Sequence, residues 1–174
     1  MAPRPLDPVD LKILTALQAD SGISNVELAA KVGISPSPCL RRVKMLEREG
    51  FISGYRAVIS RQAVGLGVRA FVEVKLERQS EEMTDKFLTR VQQLPEVVAC
   101  YLVTGGLDYV LDVVATSLET YSELTITRLI RLPGVKEIRS SFVLKEVGGQ
   151  KPLPLEHLGP ARKAVKRRAL AHQR

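Results

Sequence analysis

The sequence predicts an α+β fold in which a winged helix-turn-helix domain precedes a ferredoxin-like βαββαβ domain. Two patterns support this prediction. Three short helices with clear start and stop signals occupy the first 50 residues, and strand and helix patterns alternate over residues 68–147. The predicted boundaries are residues 1–60 for the first domain, 61–68 for a linker, 69–147 for the second domain and 148–174 for a basic tail.

The first two helices have local signals at their ends. Asp7 is a good N-cap, and Pro8 follows at the first helical position, where a missing N–H costs little. Ser24 and Glu27 match a capping box, which predicts the start of the second helix. Gly33 is placed to end that helix, so about three residues separate it from the third.

The third helix is predicted to begin at Ser35, a capping residue, and Pro36 and Pro38 fit its first turn. Cys39, Val43 and Leu46 recur at the spacing of a buried face. The opposite face carries a polar, basic stripe of Ser37, Arg41, Lys44 and Arg48. This stripe suits entry into a DNA major groove, and a solvated charged face explains it equally well. Residues Phe51 to Ile59 predict a strand pair that turns near Ser53-Gly54.

The second region predicts four strands and two helices. The strands are Val68–Leu76, Val97–Thr104, Tyr109–Ala115 and Val135–Val147, and the helices are Glu81–Leu94 and Leu118–Leu132. The junctions Leu94–Val97 and Leu132–Val135 both read Leu-Pro-x-Val, as two βαβ halves built alike would produce. Helices on one face leave the other face of the sheet open, where Phe71, Tyr101 and Val103 predict face-to-face dimerisation.

Charge and composition exclude several classes. The net charge is +7, and residues 147–174 contribute +6 of it, from seven Lys/Arg and one Glu. Ala161 to His172 is predicted either to form a basic helix that contacts DNA or to remain a solvated tail. The two histidines, His157 and His172, lie in the tail, so no catalytic triad, metal site or cofactor is predicted and the chain is not expected to be an enzyme. We expect no membrane span and no signal peptide, and therefore a cytoplasmic protein.

The connection Thr104-Gly105-Gly106-Leu107-Asp108 contains the parts of an amino-acid receptor. Glycine N–H groups can meet a carboxylate, Asp108 can accept from an ammonium, and Leu107 with Tyr101 can line an apolar end. An ordinary strand connection, in which Asp108 bonds its own turn, explains the same residues.

Residues over most of the chain resemble the Lrp/AsnC, or feast/famine, family of transcription regulators. The residues that carry the resemblance are Leu6 to Asp10, Ile23 to Ala29, Val32 to Leu40, Leu46 to Ile52, Gly54-Tyr55, Phe71 to Val74, Thr104 to Tyr109 and Leu132 to Val135. The resemblance does not cover the tail from Gly148. It implies an N-terminal helix-turn-helix that binds double-stranded DNA and a C-terminal domain that dimerises and binds a small amino acid. Such dimers commonly assemble into octamers or other closed rings.

From the motif and the resemblance we predict two sets of site residues. The DNA-binding set is Ser24, Asn25, Ser35, Ser37, Pro38, Arg41, Arg42, Lys44 and Arg48, with Arg42 equally compatible with an internal ion pair. The effector-binding set is Tyr101, Thr104, Gly105, Gly106, Leu107, Asp108, Ser140, Ser141 and Phe142, because this loop occupies the family's effector position between dimers. The expected effector is leucine or another apolar amino acid, and the expected targets are genes of amino-acid metabolism. A ligand-independent DNA-organising protein and an RNA-binding protein remain alternatives.

Overall fold

The structure is a computed structural model that describes residues 4–77, 80–149 and 151–158. The described chain forms two compact units, residues 4–57 with 151–158 and residues 58–149. The predicted basic helix from Ala161 to His172 lies outside the described residues. None of the helices in the described ranges has the length and apolar character that a membrane span requires.

The first unit contains three helices, α1 (Pro8–Ala19), α2 (Asn25–Val32) and α3 (Pro36–Arg48). Asp7 and Ser24 form the predicted caps, each within a complete capping box, and Gly33 ends α2 in the left-handed conformation with φ +80°. The three helices enclose one apolar cluster, whose fully buried members include Ile13, Ala29, Cys39 and Leu46. The predicted helix-turn-helix is therefore confirmed.

Two local expectations in this unit are wrong. Ser35 occupies the N-cap position of α3, but its side chain makes no capping hydrogen bond. A capping side chain normally accepts from the second or third helical N–H, and the third position here is Pro38, which has none.

Phe51 to Ile59 also forms no strand pair. The N–H groups of Phe51 and Ile52 instead donate to the Leu46 carbonyl (2.9 and 3.2 Å), and both side chains pack on the helical cluster. Val58 is 97% exposed, so a hairpin formed by this segment would have no apolar surface to pack against. An isolated two-stranded hairpin is at best marginally stable in water.

The second unit has the predicted order of elements. It contains β1 (Val68–Leu76), α4 (Glu81–Val91), β2 (Val97–Leu102), β3 (Tyr109–Ala115), α5 (Leu118–Leu124) with a π-helical turn (Thr125–Leu129), and β4 (Val135–Phe142). The strands form one antiparallel sheet in the order β2-β3-β1-β4. Side chains of α4 and α5, such as Phe87 and Tyr121, share a core with alternate residues of β1, including Val72 and Val74. This is the ferredoxin-like arrangement.

Several of these elements are shorter than expected. Strand β4 ends at Phe142 rather than Val147 because Phe142 pairs with Ala70, close to the start of β1, and leaves little further partner strand. Helix α4 ends at Val91 rather than Leu94, four residues before Pro95. Proline disfavours the helical conformation in the residue before it, here Leu94. Strand β2 ends at Leu102 rather than Thr104, and α5 continues past Leu124 only as the π-helical turn.

A fully buried carboxylate, that of Asp10, joins α1 to α3. It accepts hydrogen bonds from Arg4 Nη1 (2.7 Å) and Arg42 Nη1 (2.8 Å), and Arg42 also pairs with Asp7. Burial opposes ionisation, but the hydrogen bonds from the two arginines outweigh it and hold the pKa of Asp10 below its ordinary value of 3.8. Arg42 lies on α3, so this cluster fixes α3 against the start of α1.

Asp10→Asn should destabilise the first unit by about 2–3 kcal/mol, because the two arginines lose their shared charged acceptor. The cost is below the roughly 3–5 kcal/mol of a fully buried pair because both arginine side chains are 29% exposed. Urea unfolding followed by circular dichroism measures the change. Asp20→Asn is the matched control, since an asparagine can still accept the Gly22 N–H, and its cost should stay within about 0.5 kcal/mol.

The same comparison has a pH signature. Because the folded-state pKa of Asp10 is lowered, its contribution to stability is fully present above about pH 4 and is lost as the pH falls through the folded-state value. The difference between wild type and Asp10→Asn should therefore shrink in acid. An equal difference at all pH values would contradict the charged cluster.

Candidate functional site

The exposed face of α3 carries the predicted basic stripe. Residues at spacings i, i+4, i+7 and i+11 from Ser37 are all exposed, and they line a shallow surface groove of about 460 Å³ together with Leu40 and Met45. The stripe residues are Ser37, Arg41, Lys44 and Arg48. A helix that presents three cations and a hydroxyl along one face can offer hydrogen bonds to base edges and to phosphates.

The residues predicted at the turn make contacts within the unit. The Ser24 hydroxyl accepts from the Glu27 N–H (3.3 Å) and donates to the Glu27 carboxylate (2.7 Å), so it completes the capping box. The Asn25 side-chain amide donates to the Pro36 carbonyl (2.9 Å) and links the start of α2 to the start of α3. Pro38 is half-buried and Ser35 is exposed. The Asn25 hydrogen bond thus holds the starts of the two helices together across the turn.

Arg42 lies beside the stripe rather than on it. Its guanidinium contacts Asp7 and Asp10, and these hydrogen bonds raise its pKa further above the ordinary arginine value. The structure therefore brings Ser37, Arg41, Lys44 and Arg48 to one open face and directs Arg42 into the domain.

Tyr55 is a neighbour of α3 that the predicted DNA-binding set does not include. Its hydroxyl donates to Glu47 Oε1 (2.8 Å), and burial together with this carboxylate raises the pKa of Tyr55 to about 12. The tyrosine stays protonated at physiological pH and donates a hydrogen bond to the carboxylate of Glu47 on α3. Only the path of the chain after α3 reveals the contact.

The loop from Thr104 to Asp108 follows β2 and packs against the end of β1. Thr104, Gly105 and Gly106 are exposed, and Gly105 has φ +120°, which favours glycine. Asp108 is buried, and its Oδ2 accepts the Leu76 N–H (2.7 Å) while its own N–H donates to the Val74 carbonyl (3.0 Å). Asp108 thus anchors the loop to β1 rather than bonding only within its own turn.

Lys75 is a second residue at this loop that sequence reasoning missed. Its Nζ donates to the Gly106 carbonyl (2.8 Å) and places a positive charge beside the two glycines. The alternation of β1 predicts only that Lys75 lies on the polar face. The register of β1 with β3, which pairs Val74 with Tyr109, is what brings it to the loop.

The remaining predicted effector residues lie elsewhere in the same chain. Ser140 and Phe142 face the helices, where both contact Tyr121, while Ser141 pairs with Phe71 of β1. The loop lies beside Leu76 of β1. Leu76 is five residues beyond Phe71, so roughly 16 Å of strand separates the loop from Ser141. The two sets therefore do not meet within one chain.

The open face of the sheet combines an ion pair with exposed aromatic rings. Arg69 donates to both carboxylate oxygens of Asp112 (2.9 and 2.6 Å), and its guanidinium lies 5.4 Å from the centre of the Phe71 ring. Phe71 is 39% exposed and Tyr101 is 56% exposed, and Val103 is half-buried. The rings that were predicted to mediate dimerisation are thus accessible in the single chain.

Family comparisons agree with both units. A winged helix-turn-helix DNA-binding model matches residues 6–53, and the Lrp/AsnC ligand binding domain matches residues 69–153. The leucine-responsive regulatory protein of Escherichia coli K12 is 44% identical over 142 residues, which are 82% of this chain and 87% of the relative. The protein of the same name from Salmonella typhimurium is 43% identical over the same shares.

Solved structures give the same result. A transcriptional regulator from Neisseria meningitidis in complex with L-Met has a TM-score of 0.84 at 41% identity and covers 88% of this chain and 99% of its own. The leucine response regulatory protein of Mycobacterium tuberculosis has a TM-score of 0.72 at 31% identity, with shares of 85% and 100%. These relatives are regulators, which confirms that the chain is a DNA-binding regulator and not an enzyme. The chain belongs to the Lrp/AsnC family of transcription regulators.

Proposed function

We propose that α3 is the recognition helix and that it reads duplex DNA in the major groove. Ser37, Pro38 and Arg41 lie in its first half, the part of a recognition helix that enters the groove, and are assigned to base edges. Lys44 and Arg48 extend along the same exposed face and are assigned to phosphates. The supporting observation is that this face is polar, basic and open, while the opposite face is buried in the helical cluster.

The other predicted DNA-binding residues receive supporting roles in this proposal. Arg42 positions α3 through its ion pairs, and Asn25 holds the turn through the Pro36 carbonyl. Ser24 and Ser35 lie at helix N-termini, where phosphate oxygens approach backbone N–H groups, so we assign them to the edges of the footprint. The functional division that we propose is residues 1–60 for DNA binding, 61–68 as a linker, 69–147 for regulation and assembly, and 148–174 as a basic tail.

An α-amino acid is the effector that the loop chemistry favours. Asp108 supplies a carboxylate for the ammonium, and the exposed backbone of Gly105 and Gly106 with Lys75 nearby supplies donors for the carboxylate. Tyr101, Thr104 and Leu107 complete the lining. Ser140, Ser141 and Phe142 are too distant in the same chain, so a neighbouring chain has to contribute them. The L-Met complex of the Neisseria relative and the name of the leucine-responsive relatives support an apolar amino acid.

The assembly that we propose is a dimer formed through the open sheet face, with dimers joining into a closed ring such as an octamer. The accessible Phe71 and Tyr101 support the dimer contact through the sheet face. The need for a second chain at the glycine loop supports the contact between dimers. A dimer presents two recognition helices to an operator of approximate two-fold symmetry. We place this regulator in the cytoplasm, acting on genes of amino-acid metabolism.

Arg41→Ala should weaken binding to a selected operator by about 1–3 kcal/mol, roughly 5- to 150-fold, and should relax the preference for one base pair. Fluorescence anisotropy with labelled duplexes measures both effects. Arg90→Ala, which removes an exposed arginine of α4, serves as the matched control and should bind as the wild type does. Unchanged affinity and unchanged base preference in Arg41→Ala would remove this residue from the interface.

Asp108→Asn should weaken effector binding by about 1.5–3 kcal/mol, roughly 10- to 150-fold, because the ammonium loses a charged acceptor. The asparagine carbonyl can still accept the Leu76 N–H, so the loop keeps its anchor. Calorimetry of the wild type against the twenty amino acids identifies the ligand first. Asp85→Asn, which changes an exposed carboxylate of α4, is the control. Absence of binding by every amino acid would favour a ligand-independent regulator, and equal affinity in Asp108→Asn would move the site elsewhere.

A further inference from the structure

A surface groove of about 410 Å³ lies between α4 and the end of α5 in the second unit. One wall comes from the last turn of α4 and the residues after it, and the other comes from the π-helical turn and the residues that lead to β4. The lining residues are Arg90, Gln93, Leu94, Thr127, Arg128, Arg131, Leu132 and Pro133. This surface is called the arginine groove below.

The arginine groove has an apolar floor and a basic rim. Leu94 and Leu132 are buried members of the core of the second unit, whereas Arg90, Arg128 and Arg131 are exposed. Typical small-molecule sites are concave, measure about 300–1,000 Å³ and combine an apolar lining with a few polar groups. The groove falls within that range, and its two walls present arginines to the same space.

The positive charge of the groove is a local arrangement. Residues 61–146 hold 11 Lys/Arg and 12 Asp/Glu, so the unit as a whole is not basic. Arg128 Nη1 donates to both carboxylate oxygens of Glu96 (3.0 and 3.2 Å), and Arg90 Nη1 donates to a neutral side-chain amide (3.3 Å). The Arg131 guanidinium makes no hydrogen bond or ion pair with the described part of the chain. An anion in the groove would therefore offset charge that the chain itself leaves uncompensated.

The wall that carries two of the arginines is irregular. The Ile130 N–H donates to the Thr125 carbonyl (3.1 Å), five residues back, which makes this turn π-helical rather than α-helical. Such turns are rare and occur frequently at functional sites. Thr127 and Arg128 belong to the turn, and Arg131 follows it closely. The irregular turn and the basic rim therefore coincide.

We propose that the arginine groove binds a small molecule that carries two adjacent phosphate groups. Guanidinium groups bind phosphate oxygens through paired, charge-assisted hydrogen bonds. Two adjacent phosphates present several acceptor oxygens, which suits donors that approach from both walls, and the apolar floor can take a ring or a hydrocarbon part of the ligand. The backbone of DNA instead suits an extended row of cations, such as the stripe on α3. This inference goes beyond the proposed function, because it requires neither DNA nor an amino acid.

Calorimetry of the full chain with inorganic pyrophosphate tests the site. We expect saturable binding in the wild type. The double variant Arg128→Gln with Arg131→Gln should bind at least about tenfold more weakly, because two charged donors are lost. Arg131→Gln alone keeps the ion pair between Arg128 and Glu96, and it should still weaken binding at least about threefold.

The control removes the same charge from the same unit. Lys136→Gln with Arg139→Gln changes two exposed cations of β4 that do not line the groove, and it should bind pyrophosphate as the wild type does. Equal weakening in both double variants would show a response to total charge and would overturn the site, as would the absence of saturable binding. Citrate tests the ligand class, since citrate that binds as tightly as pyrophosphate would overturn the assignment to phosphate.

Non-specific duplex DNA separates a small ligand from the DNA backbone. We expect the wild type and the variant Arg128→Gln with Arg131→Gln to show the same slope of log affinity against log salt concentration. A slope lower by about one to two units in the variant would place the groove on DNA and overturn the small-molecule assignment. If the wild type bound no DNA at all, the proposed DNA-binding role would fail, while the pyrophosphate titration would still decide whether the groove is a site.

Discussion

The buried carboxylate of Asp10 is the constraint on which the DNA-binding unit depends. A carboxylate without solvent has to be neutralised and hydrogen-bonded, and here the start of the chain and α3 each supply an arginine, Arg4 and Arg42. The same aspartate closes the capping box of α1 with Asp7. One group thus begins the first helix and orients the third. Arg42, which orients α3, lies on a different side of the helix from the exposed basic stripe. The stripe therefore stays open to solvent.

The second unit separates its functions by the faces and ends of one sheet. The helices cover the face that carries Val72 and Val74, which leaves Phe71 and the Arg69–Asp112 pair on the face available to another chain. The glycine loop lies beside the last residue of β1, Leu76. Because β4 runs antiparallel to β1, the end of β4 lies beside the first residues of β1 instead. The effector site that we propose uses both, so it requires two chains. The proposal therefore couples effector binding to assembly.

The sequence was most informative where the controlling interactions are local. The caps at Asp7 and Ser24, the left-handed Gly33 and the alternation of β1 all depend on residues within one turn or one strand, and all occur as predicted. The predicted strand pair after Phe51 was wrong because the alternating residues of this segment have no apolar surface to pack against. Ser35 occupies the predicted N-cap position of α3, but its side chain makes no capping hydrogen bond, and Pro38 offers no N–H at the third helical position.

Long-range contacts explain what the sequence could not predict about the sites. The pairing of Arg42 with Asp10 joins residues 32 positions apart, and the pairing of Gln18 with Leu153 joins residues 135 apart. Nothing in the periodicity of either segment specifies its partner. Lys75 reaches the glycine loop only through the strand register. The sequence predicted a basic tail from residue 148 without a partner for its first part, whereas Pro152 to Leu155 lie against α1.

The salt dependence of operator binding by Arg42→Gln tests the central claim most directly, namely that Arg42 orients α3 and does not neutralise a phosphate. A residue that contacts phosphate contributes about one unit to the slope of log affinity against log salt concentration. We expect an unchanged slope for Arg42→Gln together with a lower unfolding temperature. A slope reduced by about one unit with unchanged stability would contradict it.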